Sequence, residues 1–197
     1  MYLVDFQLRG LCEKHNLVSP YNKARVNPAS VDLGLGREFV NLGDRWIEYI
    51  GIEDETHLGW RVAKESERFL ATKVRLIPGV ALLACTEEAV RIPDDDFWLG
   101  DPFYSEHIPS CIAELRLKSS AARAGLDHAL AGWIDPGFQG NLTLELHAHR
   151  PIELIASKCY VQMVVAACLA TPQVSYQKTG RYVGESAIGA VLAKETK

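Results

Sequence analysis

Apolar and polar residues alternate with a period of two along several short stretches of the chain. In the clearest case Leu142, Leu144 and Leu146 alternate with polar residues, so the leucines share one face of a strand. Further strands are predicted at residues 30–39, 75–86 (two strands around a Pro-Gly turn), 152–155 and 160–166. Short strands separated by frequent turn residues are typical of a mainly β fold, either a barrel or a jelly roll.

Two regions depart from this alternation. Between Val4 and His15 the apolar residues recur with a helical period, which predicts a short amphipathic helix. The tail from Gln173 to Lys197 is rich in glycine, which predicts a flexible C-terminal arm at about residues 173–197. Because 197 residues fit one domain, we expect a single domain over residues 1–197.

The composition narrows the class of protein. A net charge of -4 argues against a general nucleic-acid-binding surface. The five cysteines are widely spaced and form no Cys-x-x-Cys motif, which indicates reduced, mostly buried thiols in a cytoplasmic protein. No basic region precedes an apolar stretch in the first residues, so we expect no signal segment, and no apolar run reaches the roughly 18 residues of a membrane span. We therefore expect neither nucleic acid nor a membrane as a partner.

Two polar segments carry candidate chemistry. Lys118 precedes the motif Ser119-Ser120-x-x-Arg123. A helix that begins at these serines places Ser119 and Arg123 one turn apart, and its free amides attract phosphate oxygens. Glu145, on the polar face of its strand, can act as a general base if it is partly buried. The alternative interpretations are an N-capped helix with solvated polar side chains and a solvated carboxylate.

Two further segments have both a functional and a structural interpretation. The turn at residues 133–137, Trp-Ile-Asp-Pro-Gly, can present backbone groups to a base edge and Asp135 to a sugar hydroxyl. Alternatively, Asp135 bonds its own backbone in a hairpin turn. His147-Ala-His149 followed by Glu153 resembles the first metal motif of the cupins, although no further histidine follows His149. Exposed histidines at a strand end are the alternative.

Ordered segments over most of the chain resemble the dCTP deaminase family of the dUTPase-like superfamily. Residues 131–146, Ala-Gly-Trp-Ile-Asp-Pro-Gly-Phe-Gln-Gly-Asn-Leu-Thr-Leu-Glu-Leu, are the most diagnostic of them. The others are residues 17–21, 27–36, 76–79 with Thr86, 92–95, 118–125 and 181–182. The resemblance implies a distorted β-barrel (the β-clip, dUTPase-like fold) with a few short helices, and a homotrimer with sites between subunits.

The resemblance also implies an activity, the hydrolytic deamination of a deoxycytidine nucleotide, dCTP to dUTP and ammonia. Glu145 is then the general acid and base. Ser119 and the backbone of Ala131 position the attacking water and the base. Arg123 orients Glu145 and stabilises the charge of the tetrahedral centre. No catalytic zinc is expected, because the His-x-Glu and Pro-Cys-x-x-Cys motifs of the zinc deaminases do not occur.

The same resemblance implies the contacts that hold a deoxyribonucleoside triphosphate. Lys118, Ser120 and Arg181 bind phosphates, with Mg2+ bridging the phosphate oxygens. Asp135 contacts the deoxyribose, and Tyr182 helps to close the arm over the nucleotide. The full set of expected substrate-binding residues is Lys118, Ser120, Ala131, Trp133, Ile134, Asp135, Tyr176, Arg181, Tyr182 and Glu185.

Four features depart from the family pattern. Lys118 stands where arginine is usual, so a bidentate phosphate clamp becomes a point charge. Leu130 replaces a threonine, and Glu185 replaces a glutamine and brings a carboxylate near the triphosphate. Residues 97–111 look like an insertion. The alternatives that stay open are a bifunctional enzyme that forms dUMP, a dUTP diphosphatase, a nucleotide-binding relative without turnover and a cupin-like metal enzyme.

Overall fold

The computed structural model describes residues 1–54, 59–101, 104–129, 132–184 and 188, and their fold is mainly β. The strands are β1 (Val18–Ser19), β2 (Val26–Asn27), β3 (Ser30–Asn41), β4 (Ile47–Gly51), β5 (Arg61–Ala63), β6 (Arg68–Leu76), β7 (Leu82–Arg91), β8 (Phe97–Asp101), β9 (Tyr104–Ile108), β10 (Cys111–Leu117), β11 (Leu126–His128), β12 (Trp133–Ile134), β13 (Gln139–Ala148), β14 (Ile152–Ile155) and β15 (Cys159–Ala167). The helices are α1 (Asp5–His15), α2 (Ser119–Arg123) and α3 (Tyr176–Thr179), with 3-10 turns at Lys23–Arg25 and Ile52–Asp54. The prediction of a mainly β fold with a few short helices is confirmed.

Thirteen of the described strands form one sheet, whose main path is β11-β13-β7-β3-β15-β10-β12. The long strand β3 joins its two parts, because residues 31–34 pair with β15 and residues 35–41 pair with β7. Within the described ranges this path does not close on itself. The predicted barrel is therefore open at β11 and β12, the two strands that flank the candidate site.

Strand β13 shows the predicted alternation. Leu142, Leu144 and Leu146 are at most 7% exposed, whereas Glu145 between them is exposed. Glu145 lies directly opposite Leu83 of β7, so the two side chains share the outer face of the sheet. Burial of each leucine stabilises the fold by about 1.5 to 3 kcal/mol, and this burial determines which side chains of β13 point outward.

The register of β13 depends on a buried threonine. The pairing with β7 shifts between Asn141 and Thr143. The backbone N–H of Leu142 therefore needs an acceptor other than the backbone of β7. The Thr86 hydroxyl accepts from that N–H at 2.9 Å and donates to the carbonyl of Glu88 at 2.7 Å. One side chain therefore satisfies two backbone groups at the irregularity that precedes Glu145 on β13.

Replacing this hydroxyl is expected to destabilise the protein. Thr86→Val keeps the shape of the side chain but leaves two buried backbone groups unpaired, so we expect the free energy of unfolding to fall by about 1 to 3 kcal/mol. Chemical denaturation measures the change. Thr179→Val, at an exposed position, is the control and should change it little. Equal losses in the two variants would contradict this role of Thr86.

The N-terminal helix is confirmed, and it packs against the insertion. Helix α1 buries Leu8, Leu11 and Cys12. Strands β8 and β9 form a separate two-stranded hairpin, and its Leu99 is 2% exposed. The Lys14 ammonium donates to the carbonyl of Gly100 at 2.9 Å. The segment that looks like an insertion in the sequence thus contains a hairpin that docks on α1.

Two expectations from composition can be compared with the structure. All five cysteines are free, and the three at positions 12, 85 and 111 are buried, which confirms that most of the thiols are buried. Burial raises the pKa of Cys12 and of Cys111 to about 12, so these thiols are unreactive at neutral pH. None of the described helices is both long and apolar enough to span a membrane.

Candidate functional site

The Ser-Ser segment forms the short helix α2, as predicted. The backbone of Lys118 fixes its start, because the N–H of Lys118 donates to the carbonyl of Tyr160 at 2.9 Å and its own carbonyl accepts from Ala121 at 2.9 Å. Ser119 and Ser120 are exposed on the first turn. Both hydroxyls are therefore available to a ligand that approaches from solvent.

The ammonium of Lys118 contacts the carboxylate of Asp32 on β3. Asp32 is 9% exposed, and its second oxygen accepts from the side-chain amide of Asn27 at 2.8 Å. The ammonium of Lys118 is thus paired with a buried carboxylate, whereas the neighbouring side chains of Ser119 and Ser120 are exposed. Sequence reasoning missed the role of Asp32, although an aspartate between Val31 and Leu33 was a usable signal.

The end of α2 is held by Arg150. Its guanidinium donates to the carbonyls of Arg123 at 2.8 Å and of Ala124 at 2.7 Å. The chain then turns at Gly125 with a φ of 90°, where a Cβ would meet Arg150 at 2.8 Å. Strand β11 follows immediately and pairs with β13, so α2 leads into the strand next to the one that carries Glu145.

The three predicted catalytic side chains are not joined within one chain. Ser119, Arg123 and Glu145 are all exposed. Among the described residues, no hydrogen bond or salt bridge links the carboxylate of Glu145 to Ser119 or Arg123. The Glu145 backbone is fixed, since its carbonyl accepts from Ala129 at 3.0 Å. The strand therefore presents Glu145 to solvent from a rigid position.

A buried histidine near Glu145 was missed at the level of the sequence. His128 on β11 lies opposite Leu146 and is 8% exposed. Its Nε2 atom has no hydrogen-bond partner among the described residues. Burial lowers the pKa of His128, against the opposing effect of the carboxylates of Glu145 and Asp127. The imidazole is therefore expected to be neutral at neutral pH.

This histidine makes stability depend on pH. Because the pKa of His128 is lowered from 6.5 in the fold, the unfolded chain binds a proton more readily, and stability falls as the pH drops through and below about 6.5. Thermal unfolding at about pH 7 and about pH 5 measures this loss. His128→Gln should lose less melting temperature than the wild type, and the control His147→Gln, at an exposed position, should match the wild type. An unchanged loss in His128→Gln would contradict the assignment.

The 133–137 turn exposes two of the predicted substrate-binding side chains. Ile134 is 4% exposed and anchors the turn, whereas Trp133 is 63% exposed and Asp135 is also exposed. The indole N–H of Trp133 donates to the Oδ1 atom of Asp135 at 3.0 Å. The carbonyl of Asp135 accepts from Phe138 at 3.1 Å, so the backbone closes the turn and the carboxylate stays at the surface.

The described part of the tail crosses this turn. The rings of Tyr176 and Phe138 lie 5.8 Å apart, and the N–H of Gly184 donates to the carbonyl of Gln139 at 2.7 Å. The guanidinium of Arg181 lies 5.8 Å from the ring centroid of Tyr182. These contacts bring the predicted arm residues Tyr176, Arg181 and Tyr182 to the start of β13.

Beyond this point, Ile188 packs against Val40, Leu83 and Cys85. Leu83 is the residue opposite Glu145. The tail therefore reaches the same outer face of the sheet as the predicted catalytic carboxylate.

Some predicted residues lie outside the described ranges, namely Ala131, Leu130 and Glu185. The cupin-like alternative gains no support from the ranges that are described, since they contain no group of three or more His, Cys, Asp or Glu side chains able to hold a metal ion. His147 and His149 are exposed, and Glu153 pairs with Arg75 at 3.3 Å.

Known proteins resemble this chain in sequence. A family model described as dCTP deaminase-like matches residues 3–168. A protein of Methanospirillum hungatei named "dCTP deaminase, dUMP-forming" is 33% identical over 170 residues, covering 83% of this chain and 80% of the relative. A Pyrococcus horikoshii protein named "dCTP deaminase" is 29% identical over 199 residues, covering 100% of this chain and 99% of the relative.

A solved structure resembles it in fold. The crystal structure of 2′-deoxycytidine 5′-triphosphate deaminase from Agrobacterium tumefaciens matches with a TM-score of 0.57 and 20% identity, over 85% of this chain and 48% of that chain. The fold is therefore of the mainly β, dUTPase-like class, as predicted. Because the family model matches residues 3–168 and a relative is 33% identical over 83% of the chain, the chain belongs to the dCTP deaminase-like family.

Proposed function

We propose that this chain hydrolyses dCTP to dUTP and ammonia. The observation that carries the proposal is that α2 and β13 present Ser119, Arg123 and Glu145 to solvent from hydrogen-bonded backbone. This arrangement occurs in a chain of the dCTP deaminase-like family. A serine, a guanidinium and a carboxylate in one region suffice for a hydrolytic attack on a base without a metal.

The chemistry assigns one role to each side chain. Glu145 takes a proton from water, whose oxygen then bonds to C4 of cytosine, and passes a proton to the ring nitrogen. Glu145 then takes the proton of the new C4 hydroxyl and passes it to the amino group, so that the C4–N bond breaks, ammonia leaves and C4=O forms. Arg123 stabilises the negative charge that develops in the tetrahedral centre, and Ser119 with the Ala131 backbone orients water and base.

We infer that the complete site forms between subunits of a homotrimer. In one chain Ser119 and Arg123 make no contact with the carboxylate of Glu145, and all three are exposed. A neighbouring copy that supplies α2 opposite Glu145 brings the three together around the attacking water and excludes bulk solvent.

The rest of the nucleotide is assigned to groups around these three. Lys118, Ser120 and Arg181 bind the phosphates, with Mg2+ held by phosphate oxygens rather than by a protein cage. Asp135 binds the deoxyribose, and Ile134 anchors its turn. The remaining proposed substrate contacts are Trp133, Tyr176, Tyr182 and Glu185.

A second candidate is deamination coupled to cleavage of the triphosphate, which gives dUMP and pyrophosphate. It is favoured by the names of several relatives at 33–34% identity, "dCTP deaminase, dUMP-forming", and by the Ala-Gly-Trp-Ile-Asp form of the turn. Incubation of the purified protein with dCTP and Mg2+, followed by anion-exchange chromatography, separates the two candidates. dUTP supports the first and dUMP supports the second, whereas unchanged dCTP contradicts both.

A further inference from the structure

We propose that Trp133 is a positioning residue that holds the Asp135 carboxylate toward the sugar and thereby sets the affinity for the deoxyribose. The inference rests on the proposed function, in which Asp135 contacts the deoxyribose. It goes further because Trp133 acts by orienting Asp135 and not by contacting the base.

The geometry of the turn supports this role. Trp133 and Asp135 are two residues apart in extended backbone and point the same way, and the indole N–H donates to Asp135 Oδ1 at 3.0 Å. Ile134 between them is 4% exposed. The carbonyl of Gly132 accepts from the N–H of Leu115 at 2.8 Å. A buried side chain and a strand pairing therefore hold the backbone, so the indole can fix the carboxylate.

The sugar of the substrate has one hydroxyl group that can donate a hydrogen bond to the Asp135 carboxylate. In a 2′-deoxynucleoside 5′-triphosphate the only free sugar hydroxyl is at C3′, because C2′ carries no oxygen and O5′ carries phosphate. A carboxylate accepts hydrogen bonds and donates none when ionised. With Oδ1 of Asp135 occupied by the Trp133 N–H, Oδ2 remains for the 3′-hydroxyl, and its direction is fixed before the nucleotide arrives.

Trp133→Phe tests this role, because it removes the N–H donor and keeps an aromatic ring at an exposed position. We expect KM for dCTP to rise about three- to tenfold with kcat changed by less than about twofold. We expect KM for 2′,3′-dideoxy-CTP, which lacks the 3′-hydroxyl, to stay near the value of the parent protein. In an Asp135→Ala background the same substitution should add no further change.

The control is Trp98→Phe on the β8–β9 hairpin, since Trp98 has the same 63% exposure as Trp133, and its KM should be unchanged. An equal rise in KM for dCTP and 2′,3′-dideoxy-CTP in Trp133→Phe overturns the inference. If the wild type binds dCTP without converting it, this result contradicts the proposed function but not the role of Trp133. Calorimetric affinities for the two nucleotides then decide the role of Trp133 by the same comparison.

Discussion

Glu145→Gln is expected to reduce ammonia release from dCTP by about 10²- to 10⁴-fold while nucleotide affinity stays within a few-fold of the wild type. Glutamine keeps the size of the side chain and can donate hydrogen bonds to the base, but it cannot take a proton from water. Glu145 is exposed on the outer face of β13, and the leucines beside it are buried. The substitution should therefore leave the fold intact.

Two measurements on the same sample check this expectation. Coupled detection of ammonia gives the rate, and calorimetric titration with dCTP gives the affinity. Glu65→Gln replaces a carboxylate at an exposed position in a turn between β5 and β6 and should behave as the wild type in both. Deamination at the wild-type rate in Glu145→Gln would remove this residue from the mechanism.

Arg123→Ala is expected to lower the rate of deamination by about 10²- to 10³-fold, the usual effect of losing one preorganised donor at a developing charge. The backbone at this position is held by Arg150 through the carbonyls of Arg123 and Ala124. The helix end should therefore survive loss of the side chain. Arg37→Ala, at an exposed position on β3, is the control and should keep full activity.

A mixture of this variant with Glu145→Gln tests whether the sites form between subunits. Glu145→Gln and Arg123→Ala are each inactive alone, but refolding them together creates some sites with an intact Glu145 from one subunit and an intact Arg123 from another. We expect part of the activity to return in the mixture. A mixture that stays as inactive as its components would place all the catalytic groups in one chain and contradict the proposed arrangement.

The sequence predicted those features that depend on local periodicity. The alternation from Asn141 to Leu146 defines β13 because one face is buried and the other is not, and the helical period between Val4 and His15 defines α1 for the same reason. The short helix α2 followed from Ser119, Ser120 and Arg123. In each case a residue and its near neighbours contain the signal.

Long-range contacts were not predictable in this way. The pair of Lys118 with Asp32 joins residues 86 apart, and His128 lies opposite Leu146 only because β11 pairs with β13. The hairpin β8–β9 escaped assignment because Phe97 and Leu99 are buried by α1 rather than by a sheet of their own. The extent of the single domain and the roles of the individual site residues stay predictions.

The most direct test of the central claim is the stoichiometry of ammonia. Purified protein is incubated with dCTP and Mg2+, and the ammonia formed is compared with the dCTP consumed, with Glu145→Gln as the blank. We expect one ammonia for each dCTP lost, and none above background in the blank. Bound dCTP that yields no ammonia, or triphosphate cleavage that leaves the cytosine amino group in place, would contradict the assignment of this chain as a deaminase.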